Sequence, residues 1–324
     1  MSIEVNQYEG ATPWGNRGQY VGDAGDTAVE ALRGTRADFT ASKHKVFTQP
    51  CPNWTTPEME MDNYRAVVRD DTKEILGLTG KNFSLYQPLE FAQFADDIAM
   101  NGDMKVHTIG VDGGGAKIWM LCKIGSVEIV PNDKVDHYLF LLNGYDGKTA
   151  LQAMFTSIRV TCSNVARVAV KQAKGEVVRI RHTKNMVVNA AEARRVLRVG
   201  QDAFAESDEF MKKLADIPMT TSDWIDFCLT VFPSPPVGED GEFSKRAMTR
   251  ADNNRSTLTS LYHDGRGARI PGVQGTAWGA YNAITEYAGY HRQTRGDQRF
   301  ESLMMGSGAD FVRSGTNVLR SLTN

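Results

Sequence analysis

FTSIRVTCSN, residues 155–164, decides where strands give way to helices in this chain. A β-branched run carries an arginine and a cysteine, and an asparagine follows at once. Two readings compete. In the first, Cys162 is a nucleophile whose pKa is lowered by Arg159 or by a helix N-terminus. In the second, a strand runs through Arg159 and Ser163 or Asn164 caps a helix. No histidine lies close in sequence to serve as the base, and cysteine is commonly buried as a small hydrophobe. Downstream, CSNVARVAVKQAKG lacks strict alternation and stops at Gly175, as a glycine-terminated helix would. The second reading therefore fits better, and it predicts a helix after Thr161.

Upstream, the pattern is β-structure. YRAVVRDD (Tyr64–Asp71) and EILGL (Glu74–Leu78) flank a tight polar turn. A helix follows from Pro88, with Leu89, Phe91, Ala92, Ala95, Ile98 and Ala99 on one face and Asn101-Gly102 as its stop. KVHTIGV and AKIWMLCKIGS then flank DGGG, and HYLFLLNGY and TALQAMFTSIRVT flank Asp146-Gly147-Lys148, giving two more hairpins. Residues 1–50 are polar and glycine-rich and read as an arm with one helix near Asp26–Leu32. VVRIRHT returns to strand and puts Arg179 and Arg181 on one face. Asn189 and Glu192 resemble a capping box that opens a long helix to about Ala215. From Ile217 to about Val273 the pattern weakens to a short helix at Ser222–Phe232, the PSPP loop and a charged stretch. Helices resume with AWGAYNAITEYAGYH and a segment near Phe311–Leu322.

Strands first and helices later predict an α+β fold: an antiparallel β-meander sheet with helices packed on one face and a helical C-terminal part. The expected organisation is an arm (1–50), a central α+β domain (51–216) and a mostly helical region (217–324) packed on the same domain.

At 324 residues and 41% hydrophobic, the chain can bury a substantial core. The four cysteines are dispersed without C-x-x-C spacing, which supports neither a zinc ribbon nor a redox pair. The N-terminus lacks the basic start and apolar run of a signal peptide, and no run reaches membrane-helix length. A bacterial cytoplasm is the expected location, with no membrane association. Net charge is −2, but ten basic residues and only two acidic ones fall between Arg159 and Arg198. Such a basic band in an otherwise acidic chain is the footprint expected of a polyanion binder.

Several motifs point nowhere. Asp146-Gly147-Lys148-Thr149 ends like a phosphate loop, yet Leu142 stands where that motif needs glycine, so it reads as a hairpin turn. Asp112-Gly-Gly-Gly115 lacks the dinucleotide fingerprint. No histidine pair has metalloprotease spacing. The acid pairs Asp70-Asp71, Asp96-Asp97 and Asp133-x-x-Asp136 read as solvent-facing. Neither a cofactor nor a metal site is expected. His182, inside IRHTKN, is a candidate phosphate contact beside Arg181 and Lys184.

The same stretches resemble the phage/plasmid-related protein family, catalogued as domain of unknown function 932. YRAVVRDDTKEILGLTGKNFSLYQ is similar to its early hairpin, LLNGYDGKTALQAMFTSIRVTCSN to its central block, VVRIRHTKN to its basic strand and GTAWGAYNAITEYAGYH to its C-terminal helix. Trp14 and Gly18 echo its N-terminal arm, so the resemblance runs from about Trp14 to Leu322. Two departures stand out: Tyr145 replaces a frequent histidine, and Val165-Ala166 replace Thr-Leu. The resemblance implies mobile elements and neighbouring DNA-processing genes, and carries no established activity.

The leading functional expectation is a nucleic-acid-binding protein of phage or plasmid DNA metabolism. Single-strand binding or annealing in recombination or replication is the favoured form, through Arg159, Arg167, Lys171, Arg179, Arg181, His182 and Lys184. Phe155 is the candidate for stacking on bases. A homo-oligomer is expected by analogy with annealing proteins. Two alternatives come from other classes: a non-catalytic inhibitor of host defence acting through protein contacts, and a nucleotide- or nucleic-acid-processing enzyme using Asp146, Arg159, Cys162 and His182 if they converge.

Overall fold

Successive antiparallel hairpins build the larger of two sheets. The computed structural model describes residues 18–22, 25–49, 58–99, 104–160, 164–167, 177–184, 190–237, 244–293, 302–304 and 306–322. Its elements are β1 (Gln19–Tyr20), α1 (Ala28–Leu32), β2 (Ala41–Phe47), β3 (Glu60–Arg69), β4 (Ile75–Gly80), α2 (Pro88–Ile98), β5 (Lys105–Asp112), β6 (Lys117–Val130), β7 (Asp133–Gly144), β8 (Leu151–Arg159), β9 (Asn164–Arg167) and β10 (Val177–Ile180). The helices α3 (Ala190–Asp216), α4 (Thr221–Val231), α5 (Lys245–Asp264), α6 (Ala277–Glu286) and α7 (Ser307–Arg320) follow. The fold is α+β.

Seven strands form the large sheet in the order β1-β5-β6-β7-β8-β10, with β9 also on β8. Between β5 and β6, Gly113, Gly114 and Gly115 all have positive φ (59°, 67° and 121°), which side chains with a Cβ rarely adopt. Strands β2, β3 and β4 make a separate three-stranded sheet. The stretch read as an arm contributes to both sheets: β1 pairs with β5 and β2 with β3, and the predicted helix is present as α1.

At FTSIRVTCSN the expected strand through Arg159 is present, and the helix expected after it does not begin at Asn164. Strand β8 runs to Arg159 and the chain turns back, so that Asn164 pairs with Arg159 and Arg167 with Thr156. Asn164–Arg167 is thus a strand where a helix was expected. The edge of β8 offers unpaired backbone donors and acceptors, and pairing them outweighs the weak local preference of NVAR. Residues 168–176, the rest of the expected helix, lie outside the described residues, as does Cys162. Strand β10 takes the other stretch of the same edge, Ile180 opposite Leu151 and Val177 opposite Met154.

All nine residues of β8 are buried, because both faces of the sheet are covered. One face (Met120, Cys122, Leu139, Leu141, Phe155) packs under α1, α2 and the middle of α3. The opposite face carries Trp119, Leu121, Tyr138, Phe140, Met154 and Ile158 with Met304. A second core joins the far ends of β6 and β7, through Ile129 and Val135, to α4–α7. Helix α3 serves both cores, with Ala203 and Phe204 in the first and Met211 and Leu214 in the second.

Three further sequence readings change. Helix α5 is a 20-residue helix inside the zone read as weak and charged. Asp133 and Asp136, read as solvent-facing, are buried. Asp136 takes an ion pair from Lys123 at 2.6 Å, and Asp133 is matched by Arg159. Asp96 is half-buried rather than free, accepting hydrogen bonds from the backbone N–H groups of Ala28 and Val29 at the start of α1.

Candidate nucleic-acid interface

The seven residues proposed for nucleic-acid contact separate in space. Arg159 is 3% exposed. Its Nε donates to Asp133 Oδ1 at 2.6 Å, and its two Nη atoms donate to the carbonyls of Arg266 and Gly267, both at 3.1 Å. A guanidinium so enclosed has no face for a phosphate, so Arg159 leaves the proposed set. Phe155 leaves it too: its ring is buried edge-on against Phe204, with centroids 5.5 Å apart. Arg167 sits on β9 opposite Thr156. Lys171 lies outside the described residues.

Arg179 and Arg181 are exposed at the end of β10, and Lys184 is exposed just beyond. None of the three makes an ion pair among the described residues. Here the structure adds residues that the sequence reading passed over. The loop after β4 (Lys81, Asn82, Phe83) meets the segment after β10, and together with Asn63 they line a cleft of about 630 Å³. The two segments hold each other through His182. Ser84 donates its N–H to the His182 carbonyl at 3.2 Å, and His182 Nδ1 lies 3.0 Å from the Ser84 carbonyl. A carbonyl only accepts, so Nδ1 carries the proton. The ring stacks on Phe83, with centroids 4.7 Å apart and planes at 27°.

Burial lowers the His182 pKa, the Ser84 carbonyl and Asp146 opposing it. At neutral pH His182 is therefore uncharged, and its Nε2 is enclosed without a hydrogen-bond partner. This corrects its expected role as a phosphate contact: His182 is the platform behind Phe83. The cleft cations are Lys81 and Lys184, and no acidic residue lines it among the described residues. The missed residues had a local signature, a cation and an aromatic two apart in the Lys81-Asn82-Phe83 loop.

Of the residues named for an enzyme, Cys162 lies outside the described residues and Arg159 is taken up by Asp133. Asp146 is committed to its turn, accepting from the N–H groups of Lys148 and Thr149 at 2.9 and 2.7 Å and from the Thr149 hydroxyl at 2.8 Å. Those bonds hold its carboxyl below the ordinary range despite burial, which pushes the other way. Gly147, at φ 75°, completes a hairpin turn and not a phosphate loop. A different trio does line up. Ser157 Oγ is 2.9 Å from His137 Nδ1, and His137 Nε2 is 2.8 Å from Asp208. It resembles a nucleophile, base and acid relay. However, Ser157 is 4% and His137 5% exposed, and Phe204 stacks on the imidazole at 4.3 Å. The candidate nucleophile and base are buried between the sheet and α3, and only Asp208 reaches the surface, at 24% exposed.

Among the described residues there is no cluster of three or more His, Cys, Asp or Glu fit to hold a metal ion. No helix among them is long and apolar enough to cross a membrane. Comparisons with curated proteins and with solved structures find no match. A family model, Domain of unknown function (DUF932), matches residues 75–304. This span takes in β4 through α6, with the strand-end cleft except Asn63 and most of both cores. It covers well over half of the chain, which therefore belongs to the DUF932 family.

Proposed function

We propose that this chain is a nucleic-acid-binding protein of phage or plasmid DNA metabolism that holds single strands in the cleft between the β4 and β10 loops. The observation that supports it most is the composition of that cleft: Lys81 and Lys184 with no carboxylate among the described lining residues, and the partly exposed Phe83 ring set on His182. Lysines neutralise phosphates without regard to sequence. An aromatic face beside them lets bases stack, which is the pairing that single-strand binders use. Arg179 and Arg181 extend the cationic track along the adjoining segment.

Self-association is part of the proposal. Phe47, Met59, Tyr64, Ile75 and Leu78 are all at least 44% exposed, and all belong to the three-stranded sheet or its immediate flank. Leu78 stands opposite Ala66, on the same side of β3 as Tyr64. Apolar groups gathered on one small sheet favour a contact with another chain.

Fluorescence anisotropy with labelled single-stranded and duplex DNA, titrated with salt, tests the reading. Single strands are expected to bind more tightly than duplex, with log K falling steeply against log salt. The Lys81→Glu/Lys184→Glu variant should lose most of the affinity, and Arg179→Ala/Arg181→Ala should flatten the slope by roughly one unit per lost phosphate contact. Absence of binding to either DNA at low salt would end the proposal and favour a protein partner.

A further inference from the structure

The helical part of the molecule carries a second cleft, of about 740 Å³, between α5 and the end of α6. It is built from sequence that looked like a charged linker. Arg246, Thr249, Arg250, Asn253 and Asn254 line it from one side. They are spaced i, i+3, i+4, i+7, i+8, a single helical face. The face holds two cations four residues apart and no carboxylate, an arrangement that repels itself. Asp252, one step away, is engaged by Arg255 at 2.9 Å. Helix α5 also begins with Lys245 and Arg246 and has no acid in its first turn. Cations there oppose the helix dipole, which favours negative charge at that end.

The opposite wall has its own irregularity. Helix α6 passes into a single π turn, Tyr287–His291, closed by the Arg292 N–H donating to the Tyr287 carbonyl at 2.8 Å. Such turns cost regular hydrogen bonding and recur at functional sites. This one delivers Arg292 to the cleft, with its guanidinium held over the Phe311 ring at 5.4 Å. The Tyr287 hydroxyl donates to Asn254 Oδ1 at 2.9 Å and ties the two walls together. Burial raises the Tyr287 pKa, while Arg292 and Arg250 both act to lower it.

Three guanidiniums thus face one cleft from two walls, and Arg246, Arg250 and Arg292 make no ion pair among the described residues. We propose that this pocket binds the phosphate chain of a small soluble ligand, a nucleoside triphosphate being the class that fits. The volume lies within the range of small-molecule sites. Adjacent phosphates concentrate three to four negative charges over a few ångströms, which matches three guanidiniums lining one cleft. A nucleic-acid backbone spreads single charges along a strand and calls for a track. The pocket is separate from the strand-end cleft, and this inference does not rest on the nucleic-acid reading.

The test uses the full chain and a fluorescent ATP analogue followed by anisotropy. Unlabelled ATP, tripolyphosphate, AMP and a single-stranded oligonucleotide serve as competitors. ATP and tripolyphosphate are expected to displace the probe, with AMP at least about tenfold weaker because it lacks the chain. Arg246→Gln/Arg250→Gln should lose about tenfold or more in affinity with an unchanged circular dichroism spectrum, since both side chains are exposed. Arg292→Lys keeps the charge but loses the planar fork, and should also weaken the probe. The Lys81→Glu/Lys184→Glu variant separates the two sites: oligonucleotide affinity falls and probe affinity stays. The inference is overturned if the probe fails to bind, if the Arg246/Arg250 variant binds it as tightly as the parent, or if the oligonucleotide displaces it as well as ATP does.

Discussion

Arg159 and Asp133 form a buried ion pair, Nε to Oδ1 at 2.6 Å, at the seam between the sheet and the C-terminal helices. The second Asp133 oxygen accepts from Trp278 Nε1 at 2.7 Å. The pair thus fastens the end of β8 to α6 and to the loop at Arg266–Gly267. Removing one partner strands a charge in the interior, at a cost of about 3–5 kcal/mol. Arg159→Ala should therefore lower the urea midpoint sharply. Any loss of ligand binding in that variant should track unfolding and disappear when the folded fraction is taken into account.

Gly200 on α3 faces Phe155, and a Cβ added there would overlap the ring. Alanine improves helix propensity by about 1 kcal/mol. Overpacking a filled core costs about 1–3 kcal/mol. The second effect wins here because Phe155 is itself fixed by Phe204. Gly200→Ala should be destabilising, and the penalty should shrink in a Phe155→Leu background, as a double-mutant cycle in chemical denaturation will report.

His107 titrates at about 4 rather than the ordinary 6.5, because burial and then Lys123 disfavour its charge, with Asp136 opposing. A histidine depressed in the folded state binds its proton more readily when unfolded. Its contribution is complete above pH about 6.5 and is lost as the pH falls toward about 4. The unfolding midpoint of the parent should drop over that window. His107→Gln, which cannot titrate, should show a shallower drop across the same buffers.

The interior thiols should be inert. Burial pushes the Cys228 thiol up to about 11 and that of Cys122 higher still. In a Cys51→Ser/Cys162→Ser background, Ellman's reagent at pH 8 should react only upon unfolding. A fluorophosphonate probe should likewise leave Ser157 unlabelled in the native protein. Stoichiometric labelling of Ser157 would show that the buried Ser157–His137 pair opens and would restore the enzyme alternative.

The β5–β6 and β7–β8 hairpins were legible because their turns are written in glycine, whereas the β6–β7 turn at Pro131-Asn132, with Asn132 at φ 68°, was not. The long helix α3 and the terminal helices were legible from helical periodicity. Strand β9 was not, since NVAR acquires its conformation from the edge of β8 and not from its own pattern. Helix α5 was hidden by its composition: most of its length is polar, and its buried residues are few (Ala251, Leu258, Leu261, Tyr262). The basic band misled for a related reason. Counting charge along the chain does not reveal that Arg159 spends its charge on Asp133, and only tertiary contact brings Lys81 to Lys184.

Because α3 lends its middle to one hydrophobic core and its last turns to the other, neither core has a complete wall of its own. Cutting the chain after Asp216 would leave Met211 and Leu214 facing water, together with Ile129 and Val135 on the strands. The C-terminal helices are therefore not a detachable module that could be trimmed away or exchanged between relatives. The two halves should melt as one calorimetric transition.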